Sequence, residues 1–247
     1  MTSIRAKILI AAISLLIPFL LDAKVYLVSV GISDYPGTAN DLNLPAKDAQ
    51  AITWLYSKIK NTSLHYYQLL NSDATRSRII AAMDKIYTQA GPNDIVVFFY
   101  SGHGYPGGFF VYDGELNYDV IRQSMSKSKS KNKMIFADAC FAGKMRGKEA
   151  VSSSRSSVNS AKKANVMLFL SSRSDETSME RSDMQNGFFT TYLQKGLRGG
   201  ADANKDRTIT ARELYNYVRE NVIKISNDRQ HPVMWGKFSD DMPVMQW

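Results

Sequence analysis

The stretch KMIFADACFAG, residues 133–143, contains an apolar run that ends in an aspartate, the single cysteine Cys140 and a glycine. The stretch IVVFFYSGHG, residues 95–104, has the same plan and ends with His103 between two glycines, which favour a tight turn. Short apolar runs of this kind are typical of buried parallel strands. Functional groups collect beyond the carboxyl ends of such strands. If the two strands are parallel, His103 and Cys140 therefore lie at one edge of a sheet.

The rest of the chain alternates apolar strands with amphipathic segments. A first strand is predicted at 25–31, and apolar residues at helical spacing predict helices within 42–60 and 75–91. Further strands are predicted near 109–113, 166–172 and 232–235, and further helices near 118–125, 187–197 and 210–222. Residues 61–70 are interpreted as an amphipathic connecting segment. This order predicts an α/β fold, a three-layer α/β/α sandwich with a mainly parallel central sheet.

The composition limits what the cysteine can be. The chain has 247 residues, 44% of them hydrophobic, which suits one domain with one substantial core. A single cysteine excludes an internal disulfide, and together with three histidines it leaves too few soft ligands for a structural zinc site. The thiol is therefore either a buried apolar group or a reactive one.

The first 23 residues have the pattern of a secretory signal peptide. Arg5 and Lys7 precede an apolar stretch at 8–21, which is shorter than the roughly 20 residues that span a bilayer as a helix. We expect cleavage after Ala23, a secreted or periplasmic protein, and a mature domain at 24–247. The expected cut site lacks one of its usual small residues, so an uncleaved segment that anchors the chain to a membrane stays open as the alternative.

The net charge of +8 raises the question of a nucleic-acid partner. The excess of basic residues is confined to 122–163, mainly in two serine-rich stretches, SKSKSKNK at 126–133 and a second one at 143–165. Neither stretch has a helical or alternating apolar period, and neither interleaves aromatic residues with its charges as a base-stacking surface does. Both are interpreted as mobile surface loops, and no nucleic-acid partner is expected.

Several stretches together resemble a known family. YSGHG at 100–104, followed by DACFAG at 138–143, resembles the histidine and cysteine motifs of caspase-like cysteine peptidases, and the aspartate of the second motif is similar to that of metacaspases. Residues 31–49, from GISDYP to PAKDA, are similar to the opening strand and first helix of metacaspases. Residues 170–218 are similar to the small-subunit segment of bacterial caspase-family proteins. The resemblance covers residues 24–238 and implies the caspase-haemoglobinase-like fold of peptidase clan CD.

The same resemblance implies a division of the mature domain. Residues 24–143 are similar to a large subunit and residues 166–247 to a small subunit, with a basic, serine-rich linker at 144–165 between them. The linker carries several lysines and arginines directly after the cysteine motif. Self-processing in this linker is therefore expected if the enzyme cuts after basic residues, and an unprocessed loop is the alternative.

Catalysis by a cysteine needs a base, because a free thiol is mostly protonated near neutral pH and the thiolate is the nucleophile. His103 is the expected partner of Cys140, since His65 and His231 do not follow a buried strand. The resemblance implies that the backbone amides of Gly104 and Cys140 stabilise the tetrahedral oxyanion. It also implies that a His/Cys dyad suffices and that no cofactor is required. No third side chain that orients the histidine is evident.

Three residues match positions of the metacaspase substrate pocket. Asp138 stands two residues before the cysteine, where caspases that cut after aspartate have a glutamine, Asp48 lies in PAKDA, and Ser101 lies in YSGHG. Two carboxylates and a hydroxyl describe a pocket for a basic side chain. We therefore expect protein or peptide substrates with Arg or Lys before the scissile bond. The alternative for Asp48 is a solvent-facing position on a helix.

Two other functions stay open. One is a non-catalytic caspase-like interaction module, against which the presence of both motif residues and the pocket acids argues. The other is a peptidase of the legumain or clostripain type, which shares the dyad and differs in specificity.

The segment DANKDRTITARE, residues 202–213, has the spacing of a calcium-binding loop of the EF-hand type. Its oxygen-bearing side chains at alternate positions and at the end of the loop are Asp202, Asn204, Asp206, Thr208, Thr210 and Glu213. Arg207 occupies the position where such loops have glycine. Bound calcium and a plain helix entry, capped by Thr210 with Glu213 three residues later, therefore both stay open.

Overall fold

The computed structural model describes residues 23–59, 62–141, 165–173 and 184–246, with Cys140 and Phe141 described by their backbone only. The helices are α1 Pro45–Ser57, α2 Arg76–Tyr87, α3 Tyr118–Ser126, α4 Phe188–Lys195 and α5 Ala211–Ile225. The strands are β1 Val25–Gly31, β2 Leu64–Leu70, β3 Ile95–Tyr105, β4 Gly108–Val111, β5 Gly114–Asn117, β6 Asn132–Phe141, β7 Met167–Leu170, β8 Thr208–Thr210, β9 Val233–Trp235 and β10 Pro243–Gln246.

Eight of these strands form one sheet, and the other two, β8 and β10, form a small antiparallel pair. The path of the large sheet is β2-β1-β3-β6-β7-β9, in which all neighbours are parallel except β9 on β7. The core strands are apolar on both sides because helices cover both faces. Helices α2 and α3 pack on one face, and α1, α4 and α5 pack on the other. The predicted α/β/α sandwich with a mainly parallel sheet is confirmed.

The two motif-bearing stretches lie side by side in the middle of this sheet. Strands β3 and β6 are parallel neighbours, paired from Ile95 with Asn132 to Gly104 with Phe141. Strand β3 continues through His103 to its end at Tyr105, so the expected tight turn around the histidine is wrong. Pairing with β6 on one side and β4 on the other keeps the backbone extended after the apolar run has ended.

The prediction of a connecting segment at residues 61–70 is also wrong in part, because residues 64–70 form the edge strand β2. This strand pairs in parallel with β1 over seven positions. Its sequence misleads because an edge strand is only half covered, and Leu69 is its one buried residue. A half-covered strand lacks the continuous apolar run that marks a central strand.

The SKSKSKNK stretch is an ordered part of the molecule rather than a mobile loop. Ser128, Ser130 and Lys133 are buried, while the three lysines between the serines and before β6 are exposed. The hydroxyl of Ser130 donates to the carbonyl of Asp94 at 2.6 Å. The ammonium of Lys133 lies 3.4 Å from the Met125 carbonyl, in the last turn of α3. In this alternating stretch the serines at 128 and 130 are therefore buried and the lysines beside them are exposed. A count of charges alone does not show this difference.

Two predictions concern residues outside the described ranges. Residues 1–22 of the signal segment and residues 144–164 of the linker lie outside them. Within the described ranges, no helix is both long enough and apolar enough to cross a membrane. The signal peptide, the division of the domain at the linker and the cut sites therefore stay predictions.

Candidate active site

The histidine and the cysteine of the two motifs occupy paired positions on neighbouring strands. His103 of β3 and Cys140 of β6 are register partners near the carboxyl ends of their strands. Neighbouring strands lie about 4.8 Å apart, so the two backbone positions are adjacent. The structure therefore brings these residues to one place, while their catalytic roles stay predictions.

The imidazole of His103 is oriented by the main chain. Its Nε2 lies 2.8 Å from the carbonyl oxygen of Asn40, at the end of the short 3-10 turn Thr38–Asn40. A carbonyl only accepts hydrogen bonds, so the neutral imidazole carries its proton on Nε2 and keeps a lone pair on Nδ1. Nδ1 is therefore the atom that can take up a proton. The sequence could not reveal this orienting group, because every residue has a backbone carbonyl.

Two tyrosines hold the backbone of His103. Its N–H donates to the hydroxyl of Tyr35 at 2.9 Å, and the hydroxyl of Tyr100 donates to its carbonyl at 2.8 Å. The ring of Tyr35 also lies 4.9 Å from the imidazole, tilted by 46°. Gly102 has a φ of +152°, and a Cβ there would come within 2.6 Å of both hydroxyls. The glycine before the histidine is thus required by the approach of two tyrosines.

We expect Tyr35→Phe to lower kcat about tenfold with little change in KM, because the His103 N–H loses its acceptor and the imidazole loses part of its support. Burial raises the pKa of Tyr35, so the group that is lost is a neutral phenol at assay pH. The check is steady-state peptide hydrolysis beside Tyr66→Phe, which alters a tyrosine that is 52% exposed on β2. A rise in KM at unchanged kcat contradicts the positioning role.

Asp48 and Ser101 meet in the interior, close to the same edge of the sheet. Asp48 is 1% exposed, so the solvent-facing alternative is wrong. The hydroxyl of Ser101 donates to Asp48 Oδ2 at 2.8 Å. Asp48 Oδ1 accepts from Asn186 Nδ2 at 2.8 Å and from the backbone N–H of Gly187 at 3.2 Å. Three neutral donors therefore hold this carboxylate.

Asp138 joins the same cluster, because it is the register partner of Ser101. It is also buried, and its Oδ2 accepts from the backbone N–H of Thr190 at 3.0 Å and from the hydroxyl of Thr190 at 2.8 Å. Burial first, and then the charge of Asp138, raise the pKa of Asp48 well above its ordinary value. The cluster is therefore a pair of buried carboxylates that repel each other.

Asn186, Gly187 and Thr190 were not predicted as members of this site. They lie in QNGFFTT at the start of α4, far from both motifs in the chain. Amide and hydroxyl side chains are common in every loop and helix start, so nothing in their spacing points to a pocket.

Gly104 follows His103 within β3 and pairs with Phe141 of β6 and with Phe109 of β4. Its backbone therefore lies beside the motif of Cys140. The oxyanion role that the sequence suggests for its amide stays a prediction.

The segment 202–213, which has the spacing of a calcium-binding loop, leads into helix α5. Thr210 and Glu213 form a reciprocal capping box, as the helix-entry alternative predicts. The Asp202 carboxylate accepts from the backbone N–H groups of Asp206 and Arg207, each at 3.2 Å. Arg207 has a φ of +67°, so the sixth position adopts the conformation that favours glycine. Calcium binding by Asp202, Asn204, Asp206 and Glu213 stays a prediction, and no group of three or more His, Cys, Asp or Glu residues in the described ranges is arranged to hold a metal ion.

Comparison with known proteins places this arrangement in a family. The family model of the caspase domain matches residues 25–242. A crystal structure of a protein from Geobacter sulfurreducens is similar at a TM-score of 0.64 and 18% identity, over 91% of this chain and 97% of that one. Caspase-1 from Spodoptera frugiperda is similar at a TM-score of 0.60 and 11% identity, over 89% of each chain. At these identities the likeness to the solved structures concerns the fold alone. No curated protein sequence matches the chain.

Proposed function

The chain belongs to the caspase-domain family, and on this premise we propose that it is a cysteine endopeptidase that cuts proteins after Arg or Lys. The observation that carries the proposal is the register pairing of His103 with Cys140. The hydrogen bond from His103 to the Asn40 carbonyl supports it further, because it leaves Nδ1 free to act as a base.

The proposed reaction has two halves. Nδ1 of His103 takes the thiol proton of Cys140, and the thiolate attacks the carbonyl carbon of the scissile bond. The tetrahedral oxyanion accepts hydrogen bonds from the amides of Gly104 and Cys140. The C–N bond then breaks, and the imidazolium gives its proton to the leaving amine. In the second half His103 takes a proton from water and the hydroxide attacks the thioester carbonyl. The C–S bond then breaks, the acid product leaves, and the imidazolium returns its proton to the Cys140 thiolate.

The pocket acids support the proposed specificity. Asp48 and Asp138 are buried, and an incoming guanidinium or ammonium offsets the repulsion between them. A neutral or acidic side chain leaves that repulsion in place. Cleavage after other residue types is therefore disfavoured by the charge of the site rather than by its size.

A library of fluorogenic peptides, varied at the residue before the scissile bond, tests the proposal. We expect cleavage after Arg and Lys in the absence of calcium, and the same library with calcium shows whether the 202–213 segment affects activity. A preference for Asp or Asn would show that the pocket belongs to another branch of the clan. A pure, folded protein that cleaves no member of the library favours the interaction-module alternative.

Self-processing is expected within the basic linker. The linker carries the residue types that the pocket takes, and it is tethered to the nucleophile's own strand. Tethering by a short flexible segment gives an effective concentration of about millimolar, so even a poor site can be cut. Incubation should yield fragments of roughly 13 and 10 kDa, estimated from the residue counts of the two parts. Intact-mass spectrometry of wild type beside Cys140→Ala checks this, and equal cleavage of both would mean a contaminating protease.

We also propose export by a signal peptide at residues 1–23. The support is the sequence pattern of two basic residues followed by an apolar stretch. The first residue of the protein recovered from the periplasm or the medium tests it, with Lys24 as the expected start and Met1 as the contradicting one.

A further inference from the structure

The two pocket carboxylates are costly to keep ionised in the protein interior. Asp48 and Asp138 are 1% and 6% exposed, and each raises the cost of ionising the other. A buried carboxylate needs hydrogen-bond donors to replace its lost hydration. The donors to Asp48 are a hydroxyl, a side-chain amide and a backbone N–H. Two of these three come from one short segment at the start of α4.

This segment, residues 186–190, contacts both carboxylates and is called the α4 turn. Asn186 and Gly187 donate to Asp48 Oδ1, and Thr190 donates twice to Asp138 Oδ2. Gly187 is the N-cap residue of α4 and provides no side-chain cap. The carboxylate of Asp138 takes that place from β6, since it accepts the N–H of the third helical residue. The positive end of the helix dipole further stabilises the negative charge.

The fit of the α4 turn between the two acids depends on glycine. The N–H of Gly187 points to Asp48, and a Cβ on the same residue would come within 2.5 Å of Asp138 Oδ2. Real Cβ atoms essentially never come this close to another atom. Any side chain at position 187 therefore displaces either the turn or the carboxylate.

The orientation of the Asn186 amide is also fixed. Gln194, one helical turn after Thr190 on α4, donates from Nε2 to Asn186 Oδ1 at 3.2 Å. A carbonyl oxygen that accepts from Gln194 leaves the Asn186 NH₂ to face Asp48. The amide therefore acts on Asp48 as a donor.

We infer that the α4 turn determines specificity: Asn186, Gly187 and Thr190 are positioning residues that hold Asp48 and Asp138 side by side as a receptor for one basic side chain. The inference rests on the proposed function and deepens it. The turn comes from the part of the chain after the linker, whereas both acids come from the part before it. The receptor is therefore formed only when the two parts of the domain are packed together.

The principal test removes one donor and keeps the shape of the side chain. We expect Thr190→Val to raise KM for an Arg peptide about tenfold or more, since Asp138 loses a hydrogen bond to a charged group, while kcat changes little. Thr190→Ser keeps the hydroxyl and should restore the wild-type KM. Thr191→Val is the matched control, because the hydroxyl of the neighbouring threonine donates to the Asn186 carbonyl at 3.4 Å rather than to a carboxylate.

A second pair of variants uses the space around glycine. Gly187→Ala should lower kcat/KM for Arg peptides at least as much as Thr190→Val. Gly91→Ala is the control, since the nearest atom to its Cβ is 3.4 Å away, which is ordinary contact. Thermal melts of all five variants show whether each one is folded.

Binding of agmatine, a guanidinium compound, to the Cys140→Ala protein tests the receptor without turnover. We expect Thr190→Val in that background to bind agmatine about tenfold more weakly. If wild type prefers Arg peptides but Thr190→Val and Thr191→Val behave alike, the inference is overturned and the proposed function stands. If the unmodified pocket neither binds agmatine nor selects basic peptides, the proposed specificity falls and the inference falls with it.

Discussion

We expect Cys140→Ala and His103→Ala each to abolish peptide hydrolysis and to leave the fold in place. The alanine at position 140 removes the only thiol of the chain, and with it the nucleophile. The alanine at 103 removes the proposed base, and the other two histidines are engaged elsewhere: His65 stacks on Tyr26 in the β1–β2 region, and His231 pairs with Asp228. A loss in kcat of about four orders of magnitude is expected for each, since neither group is replaced by the oxyanion donors.

The fold should tolerate both changes for a physical reason. The His103 ring bonds to one carbonyl and touches one tyrosine ring, and the strand around it is held by backbone pairing on both sides. The measurement is kcat/KM beside the melting temperature. His65→Ala is the control variant for the loss of an imidazole and should keep its activity. Turnover by the purified Cys140→Ala protein would falsify the mechanism.

The strands that carry the motifs could be predicted because their burial is complete. Val96, Val97, Phe98 and Phe99 of β3 are all 0% exposed, so the strand reads as an unbroken apolar run. Residues 134–137 in the central part of β6 are also buried, at 0% to 3% exposed. When both faces of a strand are buried, the local sequence alone shows that the strand belongs to the middle of a covered sheet.

The parts that could not be predicted depend on groups without a sequence signal. The Asn40 carbonyl orients His103 and could belong to any residue. Tyr35 reaches His103 across the sheet from the loop after β1, and such tertiary contacts leave no period in the chain. Asn186 of the α4 turn contacts Asp48 although the two residues are 138 positions apart in the chain. The prediction for β2 failed because this edge strand is only half covered. Its sequence pattern fits more than one structure, and its position in the sheet decides which one it adopts.

The second large effect is expected from a substitution in the pocket acids. It should weaken cleavage after Arg and at the same time raise the stability of the fold. Asp48→Asn should lower kcat/KM for Arg peptides about a hundredfold or more, because a desolvated cation loses one of its charge partners. The shape of the site survives, since Asn Oδ1 can accept from the Asn186 amide and the Gly187 N–H. The Ser101 hydroxyl can turn and accept from the new NH₂ group.

The stability effect follows from the direction of the Asp48 pKa. Burial and the charge of Asp138 raise this pKa well above its ordinary value, so the folded protein holds a proton that the unfolded chain gives up. The stability that this proton contributes is fully present below the unfolded pKa of about 3.9 and is lost as the pH rises through the folded pKa. Above that pH the wild type carries the cost of a buried charge, and Asp48→Asn does not.

At neutral pH, Asp48→Asn should therefore unfold at a higher temperature than wild type while it loses cleavage after Arg. Its stability should also vary less than that of wild type as the pH rises from the unfolded pKa of about 3.9 towards neutrality. Glu220→Gln, which removes an exposed acid on α5, is the control and should alter neither quantity. Melting curves across this pH range and kinetics with Arg peptides decide the matter. A variant that melts lower than wild type, or one that still selects Arg, would mean that Asp48 supports the fold rather than the binding of a basic side chain.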